Sequence, residues 1–572
     1  MILQALNLYY GRLESSANAE IACPGFSSEK IHFALVIGNS GNLVQVLDLR
    51  ELRGNRKIPR TVIVPQGAKK SVNISANFLW GSTAYVLGAD DKEKPRRTAE
   101  CHKAFKELHK DLLESSDDDG AKAIIAFLSQ WDPSDFSKLN QSQEMLASNV
   151  AFQLDGELEF IHERPAIKRI WLDSLAEKEQ GETAMCLING EIAPIARLHP
   201  AIKGVKGAQS SGAAVVSFNK DAFCSYDKSQ NFNAPVCEYD AFSYATALNY
   251  LLRSDSKNRI QIGDATTVFW TERDSPIEGF LGMILDPRDT AGDDRELAVF
   301  LQAIREGKLP SGIDPNIKFY ILGLSPNASR LSVRFWHASN IGDISQKLGQ
   351  HFQDIAMIRS FDDEPEFPGM WRLLRETSNQ KSKDGRSPLL AGAIMQAILK
   401  GTPYPQQLLT AVIGRIRADQ NINYMRAAII KAVLVRKKRI LNQGLEVPMT
   451  LDKDNKNTAY LLGRLFAVLE KAQQDAIPGA NTTIKDRFYG SASATPRTVF
   501  PQLLRLAQHH IAKAEFGGVR DRQIEEILCD VREFPAHLGL DQQGFFAIGY
   551  YQQRQDIYKK SGSKQLENEK EA

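Results

Sequence analysis

Residues 66–87, QGAKKSVNISANFLWGSTAYVL, combine side-chain types that suit contact with a nucleic acid. Lysine neutralises phosphate, while serine and asparagine side chains can reach base edges or sugars. Residues 53–77 hold six basic residues and no acidic one. A solvated basic loop would have the same composition, so the pattern alone leaves both interpretations open. The candidate contacts are Lys69, Lys70, Ser71, Asn73, Ser75 and Asn77, with Trp80 expected to pack beneath them.

A second polar and basic stretch, KGVKGAQSSG, begins at residue 203. Its glycines let the backbone approach a ligand, and its amides and lysines suit a phosphodiester backbone. The spacing matches neither a Walker phosphate loop nor a dinucleotide fingerprint. A structural loop whose glycines form turns explains the composition equally well. The candidate backbone contacts here are Lys203, Lys206, Gln209, Ser210 and Ser211.

Two further basic stretches lie nearer the C-terminus. Residues 426–439 contain six basic residues and no acidic one. Residues 482–501, TTIKDRFYGSASATPRTVFP, are basic and small-sided and include Phe488 and Tyr489. We interpret the second stretch as a loop whose rings stack on the bases of a single strand while its guanidinium groups bind phosphates.

No arrangement of residues points to catalysis. The sequence lacks G-x-S-x-G, H-E-x-x-H and Walker patterns. His102 and His109 lie seven apart on a predicted helix with no further ligand nearby, so packing histidines are expected. The cysteines form no C-x-x-C pair, which argues against a zinc ribbon, an iron–sulfur site or a disulfide framework. We therefore expect no catalytic residue, metal or cofactor. The cysteines are Cys23, Cys101, Cys186, Cys224, Cys237 and Cys529.

The strands and helices predicted around these basic stretches indicate an α+β protein. The chain has 572 residues, 43% of them hydrophobic and 24% charged, with a formal net charge of +2. That length predicts two to four domains, and the near-neutral charge means that any nucleic-acid signal is local. No signal-peptide pattern and no run of 18 apolar residues is present, so we expect a cytoplasmic protein without a membrane span.

Strand-like and helical patterns divide the chain into regions. We predict an N-terminal α+β domain over 1–148, a middle α+β domain over 149–376, and a C-terminal α-helical bundle over 388–558. A polar, disordered tail over 559–572 follows, and residues 377–387 form the predicted linker. The expected short strands include residues 85–87 and 213–218.

Several long blocks, in order, resemble a known family. They are MILQALNLYYGRL, IHFALVI with GNLVQVLDLR, NFLWGSTAYVLG, SGAAVVSFNKDAFCSYDKSQNFNAPVCE, RLSVRFW and TIKDRFYGSASATPRTVFPQLLRLAQHHIAKAE. From about residue 1 to about residue 558, the chain is similar to the large subunit of the type I-C CRISPR effector complex (Cascade), a Csd-type CRISPR-associated protein.

The resemblance implies a non-catalytic subunit of an RNA-guided DNA surveillance complex. Such a subunit recognises the protospacer-adjacent motif on double-stranded DNA, promotes R-loop formation, stabilises the displaced strand and helps recruit the helicase–nuclease. The implied partners are CRISPR RNA, target DNA, the backbone and RNA-handle-binding subunits, and the small subunit. A metal-dependent nuclease and a purely structural scaffold are the alternatives.

The same resemblance gives roles to particular regions. Residues 69–77 would read the motif, and residues 203–211 would be a second contact with the duplex or the RNA handle. The C-terminal helices resemble a separate small subunit, and Met449 is the expected internal start for producing them alone. The candidates for the displaced strand are Arg436, Lys437, Lys438, Arg439, Lys485, Arg487 and Arg497.

Overall fold

The computed structural model describes residues 2–16, 19–54, 56–67, 74–92, 94–176, 181–275, 277–278, 282, 302–309, 312–361, 363–379, 387–442 and 446–568. The chain separates into two compact units. One comprises Met1–Lys203 and Ser211–Tyr250, and the other comprises Gly204–Ser210 and Leu251–Ala572.

The first unit mixes short strands with helices. Its strands are β1 Phe26–Ile31, β2 Phe33–Ile37, β3 Leu43–Asp48, β4 Glu51–Arg53, β5 Arg56–Ile58, β6 Arg60–Pro65, β7 Trp80–Ser82, β8 Asn149–Leu154, β9 Thr183–Met185 and β10 Ile192–Pro194. Its helices are α1 Ile2–Glu14, α2 Thr83–Val86, α3 Pro95–Leu113, α4 Asp119–Gln130, α5 Ser142–Met145, α6 Pro165–Ala176 and α7 Glu238–Leu251.

A four-stranded sheet organises this unit in the order β3-β2-β8-β7. Strand β2, FALVI, is buried along its whole length and pairs in parallel with β8. A continuous apolar run of this kind suits a strand that is covered on both faces. Phe105 of α3 and Phe127 of α4 contact Phe152 of β8, with ring centroids 6.4 and 5.6 Å apart. The sheet includes β8, so residues on both sides of position 148 share it.

Two strands expected from the sequence are absent from the described structure. Residues 83–86 form helix α2, because a short buried apolar run is compatible with either state and its packing decides. In the stretch 213–218, Ala213 makes an isolated bridge to Ile202, and no strand forms there.

The second unit begins with an antiparallel sheet and continues as helices. Its strands, in the order β11-β12-β13-β14, are β11 Arg259–Ile262, β12 Ala265–Thr271, β13 Lys318–Asn327 and β14 Arg330–Asn340. Its helices are α8 Ile341–Ile355, α9 Met370–Arg375, α10 Pro388–Lys400, α11 Gln406–Asp419, α12 Tyr424–Leu441, α13 Thr458–Ala476, α14 Ile484–Ala492, α15 Pro496–Ile511, α16 Gly517–Leu528 and α17 Leu540–Asn568.

Polar residues at the helix starts explain where several of these helices begin. The side chain of Asn340 accepts a hydrogen bond from the backbone N–H of Asp343, and Asn423 and Asn457 cap α12 and α13 in the same way. An asparagine oxygen at this position satisfies an amide that has no partner within the helix.

Helices α13 and α17 cross with their backbones in contact. A Cβ atom on Gly463 would lie 2.0 Å from the carbonyl oxygen of Phe546, and one on Gly549 would lie 2.2 Å from that of Tyr460. The absence of a side chain on both helices therefore permits the crossing.

The α+β fold class is confirmed, with strands in the N-terminal and middle regions and helices dominating the C-terminus. The predicted domain limits stay predictions, and most of the predicted linker lies outside the described residues. Helix α17 extends to Asn568, so the expected tail begins within a helix. Within the described ranges, the helices are too short or too polar to cross a lipid bilayer.

Candidate nucleic-acid interface

The chain on either side of residues 68–73 is held by buried contacts. Strand β6 ends at Pro65, whose carbonyl oxygen accepts a hydrogen bond from Trp80 Nε1 at 2.7 Å. A Cβ atom on Gly67 would lie 3.1 Å from the Trp80 ring and 3.3 Å from Asn77 Oδ1. Gly67, just after β6, therefore lies beside Asn77 and Trp80, so the two ends of the intervening segment are close together. Trp80 packs there with only 6% of its surface exposed.

A stack of rings fixes the return path. Phe78 lies between His109 and Trp171, with centroid distances of 5.4 and 5.3 Å. Leu79 has a positive φ of 60°, and its N–H donates to His109 Nε2 at 2.8 Å. Burial lowers the pKa of His109 to about 4, which keeps the imidazole neutral and able to accept this bond. His109 is thus a packing residue that holds Phe78 and Leu79 in place.

The candidate motif contacts divide into residues inside and outside the description. Lys69, Lys70, Ser71 and Asn73 lie outside the described residues, and Ser75 is half-buried. Asn77 retains only 5% exposure beside Gly67 and Trp80. A side chain buried there supports the backbone. We therefore no longer assign Asn77 to a base edge.

Lys203 joins the strand ribbon that leads into this segment. Its Nζ lies 2.9 Å from both carboxylate oxygens of Glu29 on β1, and β1 pairs with β6 over its whole length. Two stretches that are distant in sequence therefore share one ribbon within the first unit. Because Glu29 already neutralises the charge of Lys203, this lysine is better explained as holding its loop to β1 than as a phosphate contact.

The four other candidate residues of the 203–211 stretch are exposed, and they belong to different units. Lys206, Gln209 and Ser210 lie in the second unit, where the backbone N–H of Lys206 donates to Thr266 Oγ1 at 3.0 Å. Ser211 lies in the first unit. The described structure therefore does not gather all five residues into one unit.

The basic run of α12 is largely an internal ion-pair network. Arg436 is fully buried, and its Nε lies 2.7 Å from Asp354 Oδ2 on α8. Arg439 binds the same carboxylate at 2.6 and 2.9 Å. Burial lowers the pKa of Lys431 to about 8, and its Nζ donates to the backbone oxygen of Asp354 at 2.9 Å. Arg436 therefore holds two helices together, and a direct contact with a displaced strand is not retained for it.

Other members of the predicted strand-binding set are more accessible. Lys437 pairs with Asp541, and Lys438 pairs with Glu446 at 2.9 Å. Arg487 and Arg497 are exposed, whereas Lys485 is half-buried. Arg497 is held in place because its Nε donates to the carbonyl oxygen of Phe534 at 3.3 Å.

The predicted loop over 482–501 is instead helical over much of its length. Thr483 and Asp486 form a reciprocal cap that starts α14. Tyr489 retains only 3% exposure and packs edge-on against Phe466 and Phe546, at 5.8 and 5.6 Å. Tyr489 is therefore unavailable for stacking on a base.

Helix α15 carries exposed basic residues that the sequence analysis missed beyond Arg497. Arg497, Arg505 and His509 are exposed at intervals of eight and four residues, and Lys513 follows four residues later. Residues four apart share a helix face and lie about 6 Å apart along its axis. Helix α15 contains no acidic residue. The sequence pattern that could have revealed these residues is the four-residue spacing of Arg505 and His509, which a count of charges does not show.

Residues 6–558 match the model of a protein family described as CRISPR-associated protein (Cas_Csd1). Because the match covers nearly the whole chain, the molecule is a CRISPR-associated protein. More narrowly, the chain belongs to the Csd1 family, as the sequence resemblance indicated. No match to a curated protein was found.

Proposed function

We propose that this chain is the non-catalytic large subunit of a type I-C CRISPR-RNA-guided surveillance complex (Cascade). In this role it recognises the adjacent motif on double-stranded DNA, promotes R-loop formation, stabilises the displaced strand and helps recruit the helicase–nuclease. Membership of the Csd1 family supports a place in such a complex. Guide pairing supplies sequence specificity, so the protein needs only a short motif reader and contacts to the backbone.

The observation that carries the proposal is the anchoring of the chain on both sides of residues 68–73, at Pro65–Gly67 and at Asn77–Trp80. The segment AKKSVN contributes two lysines and two short polar side chains. Its flanks are tied together by Trp80 and Pro65 and by the packing of Gly67 against Asn77. A reader held on a rigid base loses less conformational entropy on binding and positions its side chains more exactly. We assign Lys69 and Lys70 to phosphates and Asn73 to a base edge or sugar.

The exposed basic residues on α15 and just after it support the role in holding the displaced strand. Arg505 and His509 lie four residues apart on α15, Arg497 lies in its first turn, and Lys513 follows its end; all four are exposed. Exposed basic side chains suit a phosphate backbone without regard to base sequence. Arg487 on α14 adds a further exposed guanidinium group.

The non-catalytic role is tested separately. Among the residues that the structure describes, the group of side chains able to hold a metal consists of two buried thiols and one carboxylate. Nucleases that use magnesium or manganese bind these ions through oxygen ligands. We therefore expect the purified chain to leave DNA intact in the presence of Mg²⁺ or Mn²⁺; cleavage would favour the nuclease alternative.

Duplex binding by the assembled complex tests the motif reader. The variants are Lys69→Ala with Lys70→Ala, Asn73→Ala, and a control pair, Lys103→Ala with Lys110→Ala. The control removes two exposed lysines from α3. Targets carry the correct or a scrambled motif at one salt concentration. We expect Asn73→Ala to abolish the difference between targets and the double lysine variant to weaken binding to both.

Two results would count against this assignment. If the complex assembles and all variants bind as wild type does, residues 69–73 do not read the motif, and the scaffold alternative gains support. If the control pair weakens binding as much as the double lysine variant does, the effect reflects overall charge rather than a local contact.

A further inference from the structure

Three potential metal ligands from separate parts of the first unit meet in its interior. The sulfur atoms of Cys186 and Cys237 and a carboxylate oxygen of Asp240 all lie within 4.8 Å of one another. Cys186 Sγ lies 3.0 Å from Asp240 Oδ2. All three residues are buried, with at most 5% of their surface exposed. The two cysteines are 51 positions apart, so a search for short cysteine motifs in the sequence does not find the cluster.

A tight hairpin turn presents the first cysteine. Strands β9 and β10 pair, and the turn between them is closed by hydrogen bonds from Cys186 N to Glu191 O and from Gly190 N to Cys186 O, at 2.8 and 2.9 Å. Gly190 takes a positive φ of 80°, which a residue with a side chain rarely adopts. Cys186 therefore projects from a constrained backbone.

The start of helix α7 presents the other two ligands. Cys237 immediately precedes the helix, and its carbonyl oxygen accepts a bond from Ala241 N at 2.9 Å. Asp240 lies in the first turn. The spacing C-x-x-D places both side chains at one helix end, where backbone N–H groups and the helix dipole favour negative charge.

Neighbouring donors point at these ligand atoms. Cys237 N–H donates to Cys186 Sγ at 3.2 Å, and Asn7 Nδ2 donates to Asp240 Oδ1 at 2.7 Å. Asn189 Nδ2 lies 3.9 Å from Cys237 Sγ. Donors of this kind orient and stabilise anionic ligands around a metal. Among the described residues, Asn7 Oδ1 is buried without a hydrogen-bond partner, so it could accept a bond from a further small ligand.

A cation would balance the negative charge that the two sulfurs and the carboxylate carry as metal ligands. No Lys or Arg is among the polar partners of the three ligand groups described above. A bound metal would replace both thiol protons and satisfy the carboxylate at the same time.

We propose that Cys186, Cys237 and Asp240 bind a zinc ion in this protein. Two thiolates and a carboxylate suit zinc and exclude magnesium or calcium as the natural occupant. Tetrahedral zinc separates its sulfur and oxygen ligands by about 3.5–3.8 Å. The ligand atoms lie within 4.8 Å of one another, and the hydrogen-bonded pair Cys186 Sγ and Asp240 Oδ2, at 3.0 Å, would have to separate by about 0.5 Å for both to bind the ion. Water or another small ligand takes the fourth position. The ion fastens the β9–β10 hairpin to α7, with α1 attached through Asn7.

Metal analysis of the full-length chain tests this assignment. The protein is expressed with added zinc, desalted without chelator, and assayed for zinc per chain by plasma mass spectrometry. We expect about one zinc in wild type and a loss of it in Cys186→Ser and Cys237→Ser. Cys224→Ser is the matched control, because Cys224 is half-buried in the same unit and outside the cluster. A double variant of the exposed Cys23 and Cys529 excludes adventitious binding, and we expect it to retain zinc.

A measurement on wild type alone covers the case in which the serine variants fail to fold. Cobalt(II) exchanged into the protein should give the thiolate-to-cobalt absorption of a site with two sulfur ligands. The proposal is overturned if zinc-supplemented wild type holds no zinc and shows no such absorption. It is equally overturned if zinc disappears with Cys23 and Cys529 and persists without Cys186 or Cys237.

Discussion

Asp354 balances much of the positive charge inside the second unit. Its carboxylate binds Arg436 and Arg439, and its backbone oxygen accepts from Lys431. The Arg436 guanidinium also lies over the Tyr404 ring at 4.2 Å and donates to the carbonyl oxygen of Ala397 at 3.2 Å. A charge desolvated this completely is costly as soon as its counterion is lost.

Removal of the Asp354 charge tests this arrangement. Asp354→Asn should lower the free energy of unfolding by about 3–5 kcal/mol, because Arg436 would remain buried without a counterion. Denaturant titration of the full chain measures the change. Glu446→Gln is the control, since Glu446 is exposed and pairs with Lys438 on the surface. We expect that variant to unfold as wild type does, and an equal loss in both would contradict the special role of Asp354.

His109 should make the first unit sensitive to acid. The unfolded chain takes up a proton at histidine near pH 6.5, whereas burial holds the pKa of folded His109 at about 4. Between these values the unfolded state binds more protons, so stability falls as the pH falls from 6.5 towards 4. Burial lowers the pKa of His162 to about 4 as well, which adds to the same trend.

His109→Gln should flatten this dependence, because glutamine keeps an acceptor for Leu79 N–H and does not titrate in this range. We expect the stability lost on acidification from pH 7 to pH 4.5 to be smaller than in wild type. Thermal unfolding across that range measures it. The exposed His509→Gln serves as the control, and identical profiles for wild type and His109→Gln would contradict the prediction.

At the scale of the elements, the crossing of α13 and α17 depends on two glycines. Gly463→Ala would place a methyl group 2.0 Å from the carbonyl oxygen of Phe546, so the helices must separate. We expect a loss of about 1–3 kcal/mol in the free energy of unfolding. Gly414→Ala in α11 is the matched control, because no atom beyond its chain neighbours and its own helix backbone lies within 4 Å of the added carbon.

Alanine at position 414 removes only the helix cost of glycine, so that variant should gain up to about 1 kcal/mol. Opposite signs for the two substitutions in the same urea titration would confirm that backbone contact, rather than glycine itself, sets the requirement. A neutral Gly463→Ala would show that the crossing relaxes easily.

The exposed Arg505 on α15 gives a prediction about salt. Each phosphate contact to a single strand contributes about 0.7 to the slope of log affinity against log salt. Arg505→Ala should therefore weaken target binding by the assembled complex at low salt and reduce the slope by about this amount. Arg273→Ala, which removes another exposed arginine of the second unit, is the control. An unchanged slope for Arg505→Ala would exclude this contact.

At the scale of the whole molecule, local patterns predicted the fold better than the candidate site. The apolar run 33–37 and the polar-capped helices of the second unit follow from local sequence. Local sequence did not predict which charged side chains are buried. Arg436 and Arg497 look alike in sequence, yet Arg436 is buried and Arg497 is exposed. The difference depends on Asp354, which lies 82 positions before Arg436, and no local pattern carries that information.

Met449 marks the point at which the last helices could be produced alone. It is 47% exposed between α12 and α13, so Met449→Ala should leave the full chain folded. If it is the internal start, that variant should lose the small product that an antibody to the C-terminus detects. Met185→Ala, also exposed, is the control and should retain the product. Persistence of the product in Met449→Ala would exclude this start.

The ion pair between α8 and α12 also has a consequence in time. Arg436 follows Asp354 by 82 residues in the chain. At about 5–20 residues per second, the ribosome needs about 4–16 s to synthesise that interval. During this delay the α8 carboxylate has no counterion, and water must continue to solvate it. The interior of the second unit therefore closes late in translation, so a ribosome that stalls before α12 leaves a nascent chain whose α8 surface stays open to chaperones and proteases.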